Sequence, residues 1–167
     1  VNDQGGLIYD SINEVVDEYV QRWGIKKVVY IGTSGGGYAA LQLLVRRGEG
    51  EAIVGNPQTI LPNYFPDHYK LAVTEAFGSP QNAEKDHRDA IDLTSLIANR
   101  SLEKVRIIYL DNAKGDLHHH RFHYLPFNEI ASKSKMKIDY SEVNLGDGHV
   151  SLPPWMIDAC LDAIAED

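Results

Sequence analysis

The chain has 167 residues, 43% hydrophobic and 24% charged, the balance of an ordinary folded domain, which excludes disorder, collagen and coiled coil. Lys plus Arg number 16 against 24 Asp plus Glu, and the net charge of −8 repels phosphate backbones and anionic lipid, so neither nucleic acid nor a membrane surface is an expected partner. No apolar run approaches the roughly 20 residues of a spanning helix, VNDQGGLIYD has no basic stretch leading into an apolar one, and the lone Cys160 fits a reducing compartment; a single cytoplasmic domain over residues 1–167 is expected.

In chain order, a strand end is expected at Gly6–Tyr9, and residues 10–23 then set Ile12, Val15, Val16, Tyr19, Val20 and Trp23 at helical spacing before Gly24. Lys27–Ile31, KVVYI, predicts a strand; GTSGGG follows, and YAALQLLVRR from Tyr38 predicts a helix. Further strands are expected at Glu51–Gly55, closed by Asn56-Pro57-Gln58, at Val105–Leu110 and at Met136–Val143, with a last helix from Pro153-Pro154. Strands separated by helical stretches need crossovers, so the class is α/β, a parallel sheet with helices on its faces. Thr59–Arg100 is long for a crossover and holds three prolines with Tyr64, Phe65, Tyr69 and Phe77; helices mixed with irregular chain, placed like a lid over a pocket, are expected there.

The turn Gly32-Thr33-Ser34-Gly35-Gly36-Gly37 admits three chemistries. A phosphate loop needs Lys and then Ser or Thr after its last glycine, and Tyr38-Ala39 stands there instead. A dinucleotide fingerprint wants glycine where Ser34 sits and an acid at the end of the next strand, where Gly55-Asn56-Pro57 is found. A nucleophile elbow, GxSxG, is matched by Gly32, Ser34 and Gly36 between strand and helix. In that reading the serine hydroxyl projects into a cleft and the Gly35 N–H faces an oxyanion formed beside it.

A serine nucleophile needs a base, and the base needs an acid to fix its tautomer. His149, in GDGHV after the fourth strand, stands where the base is expected. The acid should follow the third strand; Asp116 is better placed to reach His149 than Asp111, and Asp147 is too near in sequence to face it, its plainer role being a turn with Gly148. His118, His119, His120 and His123 could ligate zinc, but adjacent side chains diverge and no paired cysteines accompany them, so no metal is expected and one of them lines the site's rim.

VVYIGTSGGGYAAL, IIYLDNAKGD and GDGHVSLP together resemble the α/β-hydrolase family of serine hydrolases. The resemblance implies a three-layer α/β/α architecture with an open, mainly parallel sheet, a triad of Ser34, Asp116 and His149, and cleavage of an ester, thioester or amide through an acyl-enzyme without a cofactor. Thr33, Tyr64 and Phe65 are the expected substrate contacts, for a small-molecule or carbohydrate-linked ester. More loosely, the elbow, Asn56-Pro57-Gln58-Thr59 and the later Asp-x-His-His resemble hydrolase-like domains associated with surface-polysaccharide biosynthesis, where an acceptor in place of water would make an acyltransferase. The family has several strands before its elbow, and one of their loops gives the second oxyanion N–H. Their absence here points to truncation at the N-terminus, leaves the elbow strand's edge open or paired with a second copy, and supports a rival reading as a non-catalytic interaction domain.

Overall fold

The β-branched runs form four strands, β1 (Val29–Thr33), β2 (Glu49–Gly55), β3 (Lys104–Asp111) and β4 (Lys137–Glu142), in a computed structural model that describes residues 4–98 and 100–166, with side chains from residue 8 onwards. They lie side by side in the order β1-β2-β3-β4 and every pairing is parallel, Tyr30 opposite Ala52, Ile53 opposite Ile108 and Tyr109 opposite Tyr140. All four carboxyl ends therefore reach the same edge, and the loops that leave it can meet.

The side-chain period of two divides the buried strand residues between two cores. Ala52, Val54, Val105, Ile107 and Tyr109 face one side, with Tyr38, Leu41, Leu44, Leu96, Ile97 and Phe127; Ile53, Ile108 and Leu110 face the other, with Leu152 and Ile164. The first layer is built by α1 (Gln4–Trp23), α2 (Ser34–Arg47), α5 (Leu93–Ile97) and α7 (Leu125–Ala131), the second by α8 (Pro154–Glu166), so the sheet lies between helical layers. Leu41 and Leu44 are fully buried, and truncating such a leucine to alanine costs about 2–5 kcal/mol.

The segment from Thr59 to residue 100 is helical and irregular by turns: a 3-10 turn at Leu61–Asn63, α3 (Pro66–Phe77), α4 (Pro80–Asp86), a second turn at Arg88–Ala90, then α5. Val73, Ala83 and Ile91 form a small core of their own there, and Tyr38 and Gln42 of α2 tie it down by donating to the carbonyls of Ala90 and Asp89. After β3 comes one α-helical turn, α6 (Leu117–His119), then a π turn (His120–Tyr124) that runs into α7.

Two expectations change. Gly6–Tyr9 lies inside α1 and is no strand end, because the helix begins at Gln4. The apolar stripe of α1 divides as well: Val16 and Val20 are half-buried, whereas Ile12, Val15, Tyr19 and Trp23 face solvent. The contact with α2 runs instead through buried Asn13, which donates to the Leu43 carbonyl and accepts from Tyr30 Oη at 2.7 Å, and through the Asp17–Arg47 pair.

Candidate active site

The turn expected to be an elbow lies where β1 passes into α2 with no intervening loop. Thr33 is still extended, and Ser34 takes φ 54, in the left-handed region that an L residue rarely adopts. Such strain persists only where the surroundings impose it, and it aims the hydroxyl off the carboxyl edge of the sheet. Gly32 is required by space, since a Cβ there would run into the Gly36 carbonyl; a Cβ at Gly36 would meet nothing, so the motif's second glycine is not needed for room. The helix begins at Ser34, four residues before the run of strong helix formers. Gly35 is exposed in its first turn, where backbone N–H groups have no partner within the helix and carry the positive end of its dipole.

The acid and the histidine come from the loops after β3 and β4, which are clamped together. Asn112 is fully buried and donates to the carbonyls of Gly146 (2.8 Å) and Gly148 (3.2 Å) while accepting from Leu145 N–H (3.1 Å). Its own N–H donates to Asn56 Oδ1 after β2 at 2.8 Å. Gly115 presses so closely on Gly146 that a Cβ would overlap its carbonyl, and Gly148 N–H donates to the Gly115 carbonyl. Held in this way, His149 Nδ1 lies 2.7 Å from Asp116 Oδ2. Burial pushes the Asp116 carboxyl up, but hydrogen bonds from His149 and from the His119 backbone, with the His119 ring beside it, outweigh that and hold it below the usual carboxylate range.

A second imidazole shares this carboxylate. His119 is 2% exposed, stacks on His149 with ring centroids 4.1 Å apart, and sets its Nδ1 2.8 Å from the same Asp116 Oδ2, off the line of a good hydrogen bond. Burial above all lowers its pKa, against the pull of Asp116. Its other nitrogen, Nε2, lies 3.1 Å from Gln58 Nε2, and that amide reaches Ser34: Nε2 is 2.9 Å and Oε1 3.3 Å from Oγ. The hydroxyl's hydrogen bonds among the described residues thus go to Gln58, and the direct bond from Ser34 to His149 expected of a triad is not formed.

The histidine run diverges, helped by the π turn. His118 reaches the Asn63 carbonyl and stacks on Phe65; His119 enters the site; His120 pairs with Asp111 at 2.6 Å; His123 accepts from Thr59 N–H at 3.2 Å. Asp116, His119 and His149 offer ligand atoms within 4.8 Å of one another, a donor set with which a divalent cation is compatible, although both Nδ1 atoms already converge on one carboxylate oxygen.

Among the other predicted residues, Thr33 precedes the serine, Tyr64 lies 6.1 Å from the His119 ring, and Phe65, 51% exposed, forms an outer rim with His118. Asp111 turns away to His120 and Tyr140, and Asp147 is exposed. Gln58 and Asn112 are site residues that the sequence did not single out, and His119 is the one of the four histidines that enters the site, buried in it and not on its rim. Their signal was position, since each lies in a loop or turn leaving a carboxyl end of β2 or β3.

No protein-family profile matches the chain, and no curated protein matches it in sequence. Solved structures do share its fold. The capsule O-acetyltransferase of Neisseria meningitidis serogroup A superposes with a TM-score of 0.66 at 19% identity, over 93% of this chain and 64% of that one. An S-formylglutathione hydrolase from Agrobacterium tumefaciens gives 0.63 at 15% identity, over 95% of this chain and 55% of that one. An acylaminoacyl peptidase from Pyrococcus horikoshii gives 0.61 at 14% identity, over 83% and 23%. The chain thus spans less than two thirds of the length of each of these proteins, and the fold it shares with them is the α/β-hydrolase fold.

Proposed function

We propose, with the α/β-hydrolase fold as the premise, that the chain carries a serine acyl hydrolase site. Ser34 is the nucleophile, His149 the base, Asp116 the group that orients it, and Gly35 N–H an oxyanion donor. The observation that carries this reading is the 2.7 Å contact of Asp116 with His149, formed on the same sheet edge as a serine held at φ 54. With Nδ1–H given to the carboxylate, His149 keeps Nε2 as the basic atom. It takes the Ser34 proton as Oγ bonds to an acyl carbon, then returns it to the leaving group, and water releases the acyl group in a second round. The substrate is a small-molecule or carbohydrate-linked ester or thioester, and no cofactor is needed.

A second reading keeps the same residues and replaces water by an alcohol acceptor. It is favoured by an exposed apolar rim of Phe65, Leu117 and Phe122 around His118, a surface suited to the face of a sugar ring, and by the acyl transfer named for the Neisseria meningitidis protein of the same fold. Intact-mass spectrometry after exposure to a fluorophosphonate tests both: the wild type should gain one adduct, and Ser34→Ala and His149→Ala none. A folded wild type that takes no adduct would sink the hydrolase and transferase readings together and leave the non-catalytic interaction domain.

A further inference from the structure

The hydroxyl of Ser34 is held by a residue that the proposed mechanism does not use. Gln58 is 4% exposed and fixed at its backbone: its N–H donates to the Ser34 carbonyl at 3.4 Å, and the next residue, Thr59, is tied to His123 through both N–H and hydroxyl. Its side chain therefore projects from a rigid loop after β2 into the space before the serine.

His119 decides which end of the amide faces the serine. Its Nδ1 lies 2.8 Å from the Asp116 carboxylate, whose charge attracts the ring proton to that nitrogen even off the hydrogen-bond line, and with the proton there Nε2 is an acceptor. Only the NH2 end of Gln58 can face an acceptor, and that nitrogen is the atom 3.1 Å from His119 Nε2 and 2.9 Å from Ser34 Oγ. The Ser34 oxygen accepts from Gln58 Nε2 at 2.9 Å, and its longer 3.3 Å contact to Oε1 is the one a base replaces when it takes the proton. The amide also flanks Gly35: a Cβ there would stand 3.6 Å from Gln58 Oε1.

In a tetrahedral intermediate the oxyanion and Oγ are bonded to one carbon, so a donor aimed at Oγ needs only a small shift to reach the oxyanion. We propose that Gln58 Nε2–H is a second oxyanion donor beside Gly35 N–H, supplied by a side chain, and that His119 is the positioning residue that holds the amide in that orientation. The inference rests on the hydrolase reading. As the Oγ–C bond forms, the hydroxyl proton passes to His149 Nε2 and the carbonyl π pair moves onto oxygen, where Gly35 and Gln58 receive it. Collapse re-forms the carbonyl and expels the leaving group with the proton from His149. The α/β-hydrolase fold ordinarily takes its second donor from a loop preceding the elbow. The Gln58 amide comes from the opposite side, on the loop after the neighbouring strand β2.

The test is steady-state hydrolysis of p-nitrophenyl acetate by the full chain and its Gln58→Ala, Gln58→Glu and His119→Ala variants, with fluorophosphonate labelling rates and melting temperatures alongside. Gln58→Ala should lower kcat by about 10²- to 10³-fold with KM within about threefold. Gln58→Glu keeps the shape without the donor and should lose as much, which preserves the test if the alanine variant folds poorly. His119→Ala should lower kcat by about tenfold or more, with KM again unmoved. A Gln58→Ala or Gln58→Glu variant that is folded and turns over within about threefold of wild type, or faster, overturns the inference; the faster result would make Gln58 a plug. If the wild type labels and Ser34→Ala does not, that failure belongs to this inference alone. A wild type that takes no label overturns the hydrolase reading and this inference with it.

Discussion

Asp111 and Asp116 stand five residues apart at and after the end of the same strand, both buried, and each holds the Nδ1 of a histidine, yet only Asp116 belongs to the cluster that reaches the serine, through His119 and Gln58. Asp111 ends β3 and takes His120 at 2.6 Å and Tyr140 Oη at 3.1 Å on the side away from the elbow. Asp116 follows a turn whose backbone closes from Asp116 N–H to the Asn112 carbonyl, and this swings its carboxylate towards the loop after β4. A carboxylate–imidazole pair is therefore no site by itself. The same two groups tie β3 to the π turn that follows it in one place, and in the other join the loops after β3 and β4 on the sheet edge where the strained serine sits.

Substituting both aspartates is the sharpest way to break that comparison. Asp116→Asn should lower kcat by about 10⁴-fold, because the amide no longer holds His149 in the basic tautomer or stabilises its protonated form. Asp111→Asn should leave kcat within about threefold and lower stability by about 1–3 kcal/mol, the cost of a buried partner lost. Ester turnover and urea unfolding of the two variants decide it, and turnover lost in Asp111→Asn but kept in Asp116→Asn would reverse the roles.

A smaller effect is expected from the clamp that separates the two pairs. Asn112→Ala removes two donated bonds and one accepted bond from the loop carrying His149. Turnover should fall by about 10²-fold through misplacement of the base, and stability by about 1–3 kcal/mol. Unchanged turnover in a destabilised variant would confine Asn112 to folding.

Much of this was legible in the sequence because strand and helix periods are local. The four strands and α8 lie within two residues of their expected bounds, and the glycine-rich turn carries a serine at a strained φ between strand and helix. The preference for Asp116 rested on where the β3 loop ends, and this is the carboxylate that the structure sets against His149. Three features were not legible, and each depends on distant parts of the chain. The helical period of α1 is real, but period alone cannot say which of two apolar stripes meets α2, and Asn13 rather than Ile12 or Val15 is buried. Asn56-Pro57-Gln58 reads as the close of a strand; that Gln58 meets Ser34 depends on β1 and β2 being parallel neighbours. The histidine run reads as a tract, and the π turn that sends His119 and His120 to different aspartates has no signature in composition.

The smallest effect belongs to a histidine with no carboxylate partner, the limiting case of the same comparison. His123 is fully buried, accepts from Thr59 N–H through Nδ1, and has its Nε2 buried without a hydrogen bond among the described residues. Burial, reinforced by the nearby His119 and His118 and only partly opposed by Asp116, lowers its pKa from 6.5 to about 3. Between those two values the unfolded chain binds a proton that the folded chain refuses, so folding stability falls as the pH drops below 6.5 and is fully retained above it. Between pH 7 and pH 5 the loss from this one group is about 2 kcal/mol. Replacing the ring by an amide that still accepts from Thr59, His123→Asn, should remove that share of the pH dependence even if the variant is less stable at pH 7. Urea unfolding at both pH values reads the difference directly. Equal pH slopes in wild type and variant would mean that His123 is protonated in the fold, which would require the Thr59 N–H bond to Nδ1 to be broken.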